Sequence, residues 1–273
     1  MAMRQFPLLA LVIAVCLGLF EGKADAEELV DIELVLAVDV SRSMSPGELE
    51  IQRRGYAEAL TSDEVLRAIM GGIYGQVALT YVEWAGTSSQ RPIVAWTLIR
   101  NREDAVKVAD RLTAVFDQSL RRTSISGAID FAAGLFDDNG FRGLRRVIDI
   151  SGDGPNNQGR TVTLARDEAV ARGIIINGLP LMTRDGMGIQ WHLEDLDVYY
   201  QECVIGGPGA FVVPVLEWRH FPAAVRRKLV LELAGHSPAP ALRPSPILAA
   251  ASGYDCLVGE KRWNSIMGDT DMR

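Results

Sequence analysis

Histidine and cysteine are scarce in this sequence, with three of each in 273 residues. His192, His220 and His236 all lie far along the chain from the carboxylate- and hydroxyl-bearing turns considered below, which argues against a zinc site there. Positive charge is also in deficit: 28 Lys and Arg stand against 35 Asp and Glu, a formal net charge of −7. Nucleic acid and anionic membrane surfaces reward a concentrated basic face, so neither is an expected partner. The basic runs Arg53-Arg54, Arg121-Arg122, Arg145-Arg146 and Arg226-Arg227-Lys228 are dispersed and read as solvated faces. Past the N-terminal region no stretch reaches the ~18 consecutive apolar residues of a membrane span. Two catalytic signatures are missing as well. Ser151-Gly-Asp-Gly lacks the Gly-x-Ser-x-Gly spacing of a nucleophile elbow, and Gly206-Gly-Pro-Gly209 has no following Lys-Ser/Thr to make a phosphate loop. The reading that follows is not an enzyme.

What the chain does have begins with a targeting pattern. Arg4 supplies a positive start, Phe6 to Phe20 is apolar apart from small residues, and Ala24-Asp25-Ala26 places small residues at a cleavage site. Residues 1–26 are therefore expected to be a signal peptide, and the protein to be exported, to a periplasm or outside the cell. Cys16 lies inside the apolar run, behind Val15, which argues against a lipid anchor. Arg4 and Lys23 offset Glu21 and Asp25, so the remaining chain keeps its acidic balance. It also keeps two cysteines, Cys203 and Cys256, which in an exported protein are candidates for one disulfide. Such a bond would close a loop of roughly fifty residues, worth ~4 kcal/mol in the chain-entropy model.

Asp31 to Val40 (DIELVLAVDV) is apolar on both faces, as a strand buried in a parallel sheet must be. Ser45 can cap and Pro46 can open a helix to about Leu60, with a second helical piece over 61–70. Gln76–Trp84 and Ile93–Arg100 read as strands whose short connection forces them antiparallel. Helical spacing follows over Asn101–Phe116 and Ser124–Phe136, then a strand over 146–150, a helix over 161–172 and a strand over 173–179. A short helix over 195–202, a last strand Ala210–Val215 and a closing helix 216–234 complete the pattern. This predicts an α/β fold: a doubly wound, Rossmann-like, mostly parallel sheet with one antiparallel edge strand and helices on both faces. The domain is expected to span 27–235. Four prolines in Ser237–Pro246 make 236–246 a linker, and the tail 247–273 has no clear periodicity. Trp84 and Trp96, on adjacent strands, read as packing residues.

In a doubly wound sheet ligands bind at the carboxyl ends of the strands, where strand order reverses. Three segments should converge there: Asp39-Val-Ser41-Arg-Ser43 after the first strand, Thr123 ahead of a helix, and Asp153 in Ile150-Ser-Gly-Asp-Gly154. Two carboxylates and three hydroxyls form an all-oxygen environment suited to Mg²⁺, with Mn²⁺ or Ca²⁺ as alternatives. Without a cation, Asp39 and Asp153 would repel each other in a partly desolvated crevice.

Asp-x-Ser-x-Ser after an apolar strand, a threonine before a helix and Asp-Gly after a later strand resemble the metal-ion-dependent adhesion site of von Willebrand factor A domains. The element order resembles that fold over about Glu33 to Ala234. The resemblance implies that Ser41, Ser43 and Thr123 ligate the metal directly, with Asp39 and Asp153 completing the site directly or through water. It also implies an open coordination position filled by an acidic side chain of a protein partner, with Arg42, Arg121 and Arg122 as candidates for a cationic rim. Val82–Gly86, Ser151–Gly159 and Ile205–Phe211 resemble a family of uncharacterised exported bacterial proteins carrying this domain. Two departures stand out: Arg121-Arg122 precede the threonine where many members have glycines, and Ser-Gly precedes Asp153 where a threonine is common. Neither removes an oxygen ligand. The alternatives are a purely structural metal and a metal-dependent hydrolase.

Overall fold

The computed structural model describes residues 27–114, 120–183, 192–235 and 253–270. The expected signal peptide 1–26, the linker 236–246 with His236, and Phe116 and Trp191 lie outside these residues.

The chain builds a five-stranded sheet in the order β3-β2-β1-β4-β5. β1 (Glu28–Asp39) is central and buried from Val30 onward, which is why its apolar run has no polar face. It pairs in parallel with β2 (Val77–Trp84) on one side and β4 (Phe141–Gly152) on the other. β3 (Gln90–Ile99) runs antiparallel to β2 at one edge, and β5 (Ile174–Pro180) is parallel to β4. Strand order therefore reverses at β1, and the crevice at the reversal lies between the carboxyl ends of β1 and β4.

Helices cover both faces. On one, Leu34, Leu36 and Val38 of β1 pack against α1 (Pro46–Leu60), α2 (Asp63–Met70), α3 (Arg102–Thr113) and α7 (Phe221–Leu233). On the other, Val35, Ala37, Ile148 and Ile150 meet α4 (Ile125–Gly134), α5 (Val162–Ala171) and α6 (Leu196–Tyr199) with the π-helical turn Tyr200–Val204. Trp84 is fully buried, and Trp96 packs on Phe136 and Phe141, so both serve packing as expected. Helix α1 starts as its sequence dictates. Ser45 accepts from the Glu48 amide, Glu48 Oε2 accepts from the Ser45 amide at 2.6 Å, and Pro46 opens the first turn.

Three expectations are corrected. Residues 210–215 do lie parallel beside β5, but as two separate bridges, Gly178 with Val212 and Leu181 with Val215, not as a strand. Both bridges keep one register. The ladder bond between them would need an N–H on residue 180, and Pro180 has none. The tail, which lacks periodicity, forms an eighth helix, α8 (Val258–Thr270), and the Cys203–Cys256 disulfide is formed just ahead of it. The basic runs are not all solvated. Arg53 is buried with its Nε 2.6 Å from Glu83 Oε1, and Lys228 is buried with its Nζ 2.6 Å from Asp149 Oδ1 and in contact with Glu232. No helix among the described residues is long and apolar enough to cross a membrane.

Candidate metal centre

β1 ends at Asp39, whose side chain turns inward and is fully buried. Its Oδ1 accepts the Ser41 amide at 2.6 Å, folding the chain into a tight turn that aims the following hydroxyls at the crevice. Gln52 of α1 holds the same turn, its amide donating to the Asp39 carbonyl at 3.0 Å. Ser43 donates to Asp153 Oδ1 at 2.8 Å, and Ser41 Oγ lies 3.0 Å from Ser43 Oγ. With the Ser43 proton committed to Asp153, Ser41 is the donor of that second bond. Asp39, Ser41, Ser43 and Asp153 are thus one connected group, and both serine oxygens keep lone pairs for a further partner.

Thr123 is tied by its backbone to the loop that follows Asp153 and has no direct hydrogen bond to Asp39, Ser41 or Ser43. Leu120 donates to the Val40 carbonyl at 2.8 Å and bridges Ser41, setting the start of the Thr123 loop beside the Asp39–Ser43 turn. The Thr123 amide donates to Asn157 Oδ1 at 3.1 Å, and the Asn157 amide returns a bond to the Thr123 carbonyl. One residue on, Ser124 caps α4 by accepting from Gly127, and the hydroxyl also donates to the Gln158 carbonyl at 2.9 Å. The Asp153 and Thr123 loops are therefore stitched together by Asn156, Asn157 and Gln158. Sequence reading misses these three because Asp-Gly-Pro-Asn-Asn looks like an ordinary turn; the paired asparagines are the only local hint.

The electrostatics are those of a site short of positive charge. Burial, and then the charge of Asp153, hold Asp39 well above the usual carboxylate range. Burial also pushes Asp153 up to about 6, against the lowering effect of its Ser43 bond, and Glu48 adds a further raising charge. Asp39 Oδ2 is buried without a hydrogen-bond partner among the described residues, as is the Tyr200 hydroxyl. Both flank Gly152: a Cβ there would lie 3.0 Å from Asp39 Oδ2 and 2.8 Å from the Tyr200 oxygen, so a side chain at this position would displace one or both. Tyr200 is a second neighbour that sequence reading misses. Among the described residues no three His, Cys, Asp or Glu side chains group as metal ligands. A cation here would draw on hydroxyl oxygens beside the two carboxylates, which matches the donor set expected for a hard ion. Of the proposed rim, Arg42 and Arg121 are exposed, whereas the Arg122 guanidinium lies 3.7 Å from the centre of the Trp263 ring.

Solved structures share this architecture. Proximal thread matrix protein 1 from the mussel byssus matches at 15% identity and a TM-score of 0.55, over 77% of this chain and 49% of that one. The pilus adhesin SpaC from Lactobacillus rhamnosus GG matches at 12% identity and a TM-score of 0.54, over 76% of this chain and 31% of its own. Another structure of the mussel protein, with a zinc-occupied MIDAS motif, matches at 14% identity and a TM-score of 0.52 over 77% of this chain. The chain thus spans about half the length of the mussel protein and about a third of the adhesin. At these identities the likeness establishes the fold, which is that of von Willebrand factor A domains. No match was found among curated proteins. The model of the family described as "Protein of unknown function (DUF1194)" matches residues 29–237, the whole sheet with its covering helices, and the chain belongs to this family.

Proposed function

We propose that this chain is an exported binding protein whose domain, residues 27–235, holds a divalent cation and uses it to dock a protein partner. Ser41, Ser43 and Thr123 would hold the ion directly, with Asp39 and Asp153 completing the set. Mg²⁺ suits these oxygens best, with Mn²⁺ or Ca²⁺ as alternatives. The carrying observation is the carboxylate pair at the strand-order reversal, Asp39 buried and Asp153 half-buried: Asp39 Oδ2 has no hydrogen bond among the described residues, and the charge of Asp153 adds to burial in raising the cost of ionising Asp39. A cation relieves both at once. When bound, it offers an open coordination position to an acidic side chain of the partner.

The chain's own residues do the rest. The Ser41 amide fixes Asp39, Gln52 and Glu48 brace the turn from α1, and the Asn157 bonds tie the Thr123 backbone to the loop after Asp153. The mussel protein's zinc-occupied motif supports a divalent ion in this fold. The formed Cys203–Cys256 disulfide supports an oxidising compartment.

Calorimetric titration of the metal-stripped chain with Mg²⁺, Mn²⁺ and Ca²⁺ tests this reading. One ion per chain is expected, with binding abolished in Asp39→Ala/Asp153→Ala. Heats indistinguishable from those of the double variant would remove the metal mechanism and leave only the fold. If the ion binds and Asp39→Ala only lowers the melting temperature, with no loss of partner capture, the ion is structural.

A further inference from the structure

The family match ends at residue 237, yet the chain returns to the domain beyond it. Cys256 is bonded to Cys203 at the π-helical turn, the Tyr254 hydroxyl donates to Asp195 at 3.0 Å, and the Tyr254 and Tyr199 rings meet edge to face. These contacts start α8 beside the crevice, and Arg262 adds a bond to the His192 carbonyl at 2.7 Å.

One side of α8 then touches both loops of the candidate metal centre. Gly259 rests on the backbone of Asn156 so closely that a Cβ would lie 2.1 Å from the Asn156 carbonyl oxygen. Glu260 Oε1 accepts from Asn156 Nδ2 at 2.7 Å. The other end of that amide accepts from the Ser126 backbone at 3.0 Å, at the start of α4, and the next residue, Asn157, holds Thr123. One turn further along α8, Trp263 lies under the Arg122 guanidinium. Arg122 has φ of 75°, a left-handed conformation that an arginine rarely adopts, and its carbonyl is bonded directly to the Thr123 nitrogen. The ring supplies a cation–π contact that holds Arg122 in that conformation.

We propose that α8 is a clamp on the metal centre: Trp263, through Arg122, and Gly259 with Glu260, through Asn156, hold the Thr123 and Asp153 loops where the ion needs them. The inference rests on the metal reading above and adds to it that affinity is set partly by a helix outside the family domain. The disulfide tethers the clamp, so its contacts form at high effective concentration. Trp263 and Glu260 are positioning residues and do not touch the ion.

The test is Mn²⁺ titration of the metal-stripped, disulfide-intact chain, read by calorimetry and by the paramagnetic signal of free Mn²⁺. Trp263→Leu is expected to weaken binding roughly threefold to tenfold, the range a cation–π contact supports, and Trp263→Phe, which keeps a ring, to weaken it less. Gly259→Ala, which drives a methyl group into the Asn156 carbonyl, is expected to weaken it as well. The metal-free melting temperature of the Trp263 variants should stay close to that of the unaltered chain, whereas Gly259→Ala, with its methyl group against a backbone oxygen, should also lower it. Variants that bind Mn²⁺ as the unaltered chain does, whether or not their melting temperatures fall, would overturn the clamp alone. Failure of the unaltered chain to bind Mn²⁺, and Mg²⁺ and Ca²⁺ in the same calorimetric titration, overturns the metal reading and the clamp with it.

Discussion

Lys228→Met is expected to destabilise the fold by about 3–5 kcal/mol at neutral pH, the usual cost of stripping one partner from a buried ion cluster. Lys228 on α7 is 1% exposed, and its Nζ meets Asp149 Oδ1 at 2.6 Å and Glu232 Oε1, both equally enclosed. Asn177 Nδ2 also donates to Glu232 at 2.9 Å, but it carries no charge to replace the one removed. Without the lysine, two carboxylates face each other between β4 and α7 with no cation between them. Burial already pushes Asp149 up to about 7, and the charge of Glu232 raises it while Lys228 lowers it. A folded value above the unfolded one means that this contribution to stability is present at low pH and lost as pH rises through about 7. Removing Lys228 carries Asp149 still higher, so the deficit relative to the unaltered chain should be smaller at pH 5 than at pH 8. Chemical denaturation at both pH values checks this. A triple variant, Lys228→Met with Asp149→Asn and Glu232→Gln, should recover much of the loss because no uncompensated charge stays buried. A deficit below about 1 kcal/mol, or one unchanged with pH, would mean that the cluster is hydrated and not a closed ionic core.

What could be read in the sequence and what could not divides along one physical line. β1 is legible because a strand buried on both faces carries apolar residues on both, and the start of α1 is legible because Ser45 and Glu48 satisfy each other's amides and Pro46 lacks one. Asp39, Ser41 and Ser43 could be singled out because one turn carries them, and Asp153 because it closes a neighbouring strand. The Lys228 cluster joins residues from β4, β5 and α7, and nothing near Lys228 in the chain distinguishes it from a solvated lysine. The same holds for Arg53, which finds Glu83 on β2. The break at Pro180 follows from a missing donor on the partner strand, so the Val-rich run 211–215 by itself reads as a strand. α8 has no strong apolar face, since it is held by a disulfide, a stacked arginine and a glycine contact more than by hydrophobic burial. Periodicity finds elements that bury apolar stripes. It passes over elements whose partners are polar and distant.

Protons and the cation should compete for the same two carboxylates, and this gives the second large effect. Asp153 is pushed up to about 6 by burial, and Asp39 stands well above its ordinary value through burial and the charge of Asp153. Both folded values lie above the unfolded ones. The metal-free protein should therefore be more stable at pH 5 than at pH 7.5, losing stability as pH rises through about 6. Ligation requires the ionised forms, so affinity runs the opposite way. From the value of about 6, Asp153 alone should weaken Mg²⁺ binding about tenfold between pH 7.5 and pH 5, and a proton on Asp39 would weaken it further. Since a ligand stabilises by RT ln(1 + [L]/Kd), the rise in melting temperature caused by a fixed Mg²⁺ concentration should be clearly smaller at pH 5 than at pH 7.5. Asp153→Asn cannot titrate at this position, so the variant should lose the Asp153 share of the pH dependence, leaving that of Asp39, along with most of the affinity. Thermal melts with and without Mg²⁺ at three pH values are sufficient. A Mg²⁺ shift of equal size at pH 5 and pH 7.5 would mean that the ion sits elsewhere, on groups already ionised at both. A shift that grows with pH and disappears in Asp153→Asn would tie the ion to the crevice where β1 and β4 end.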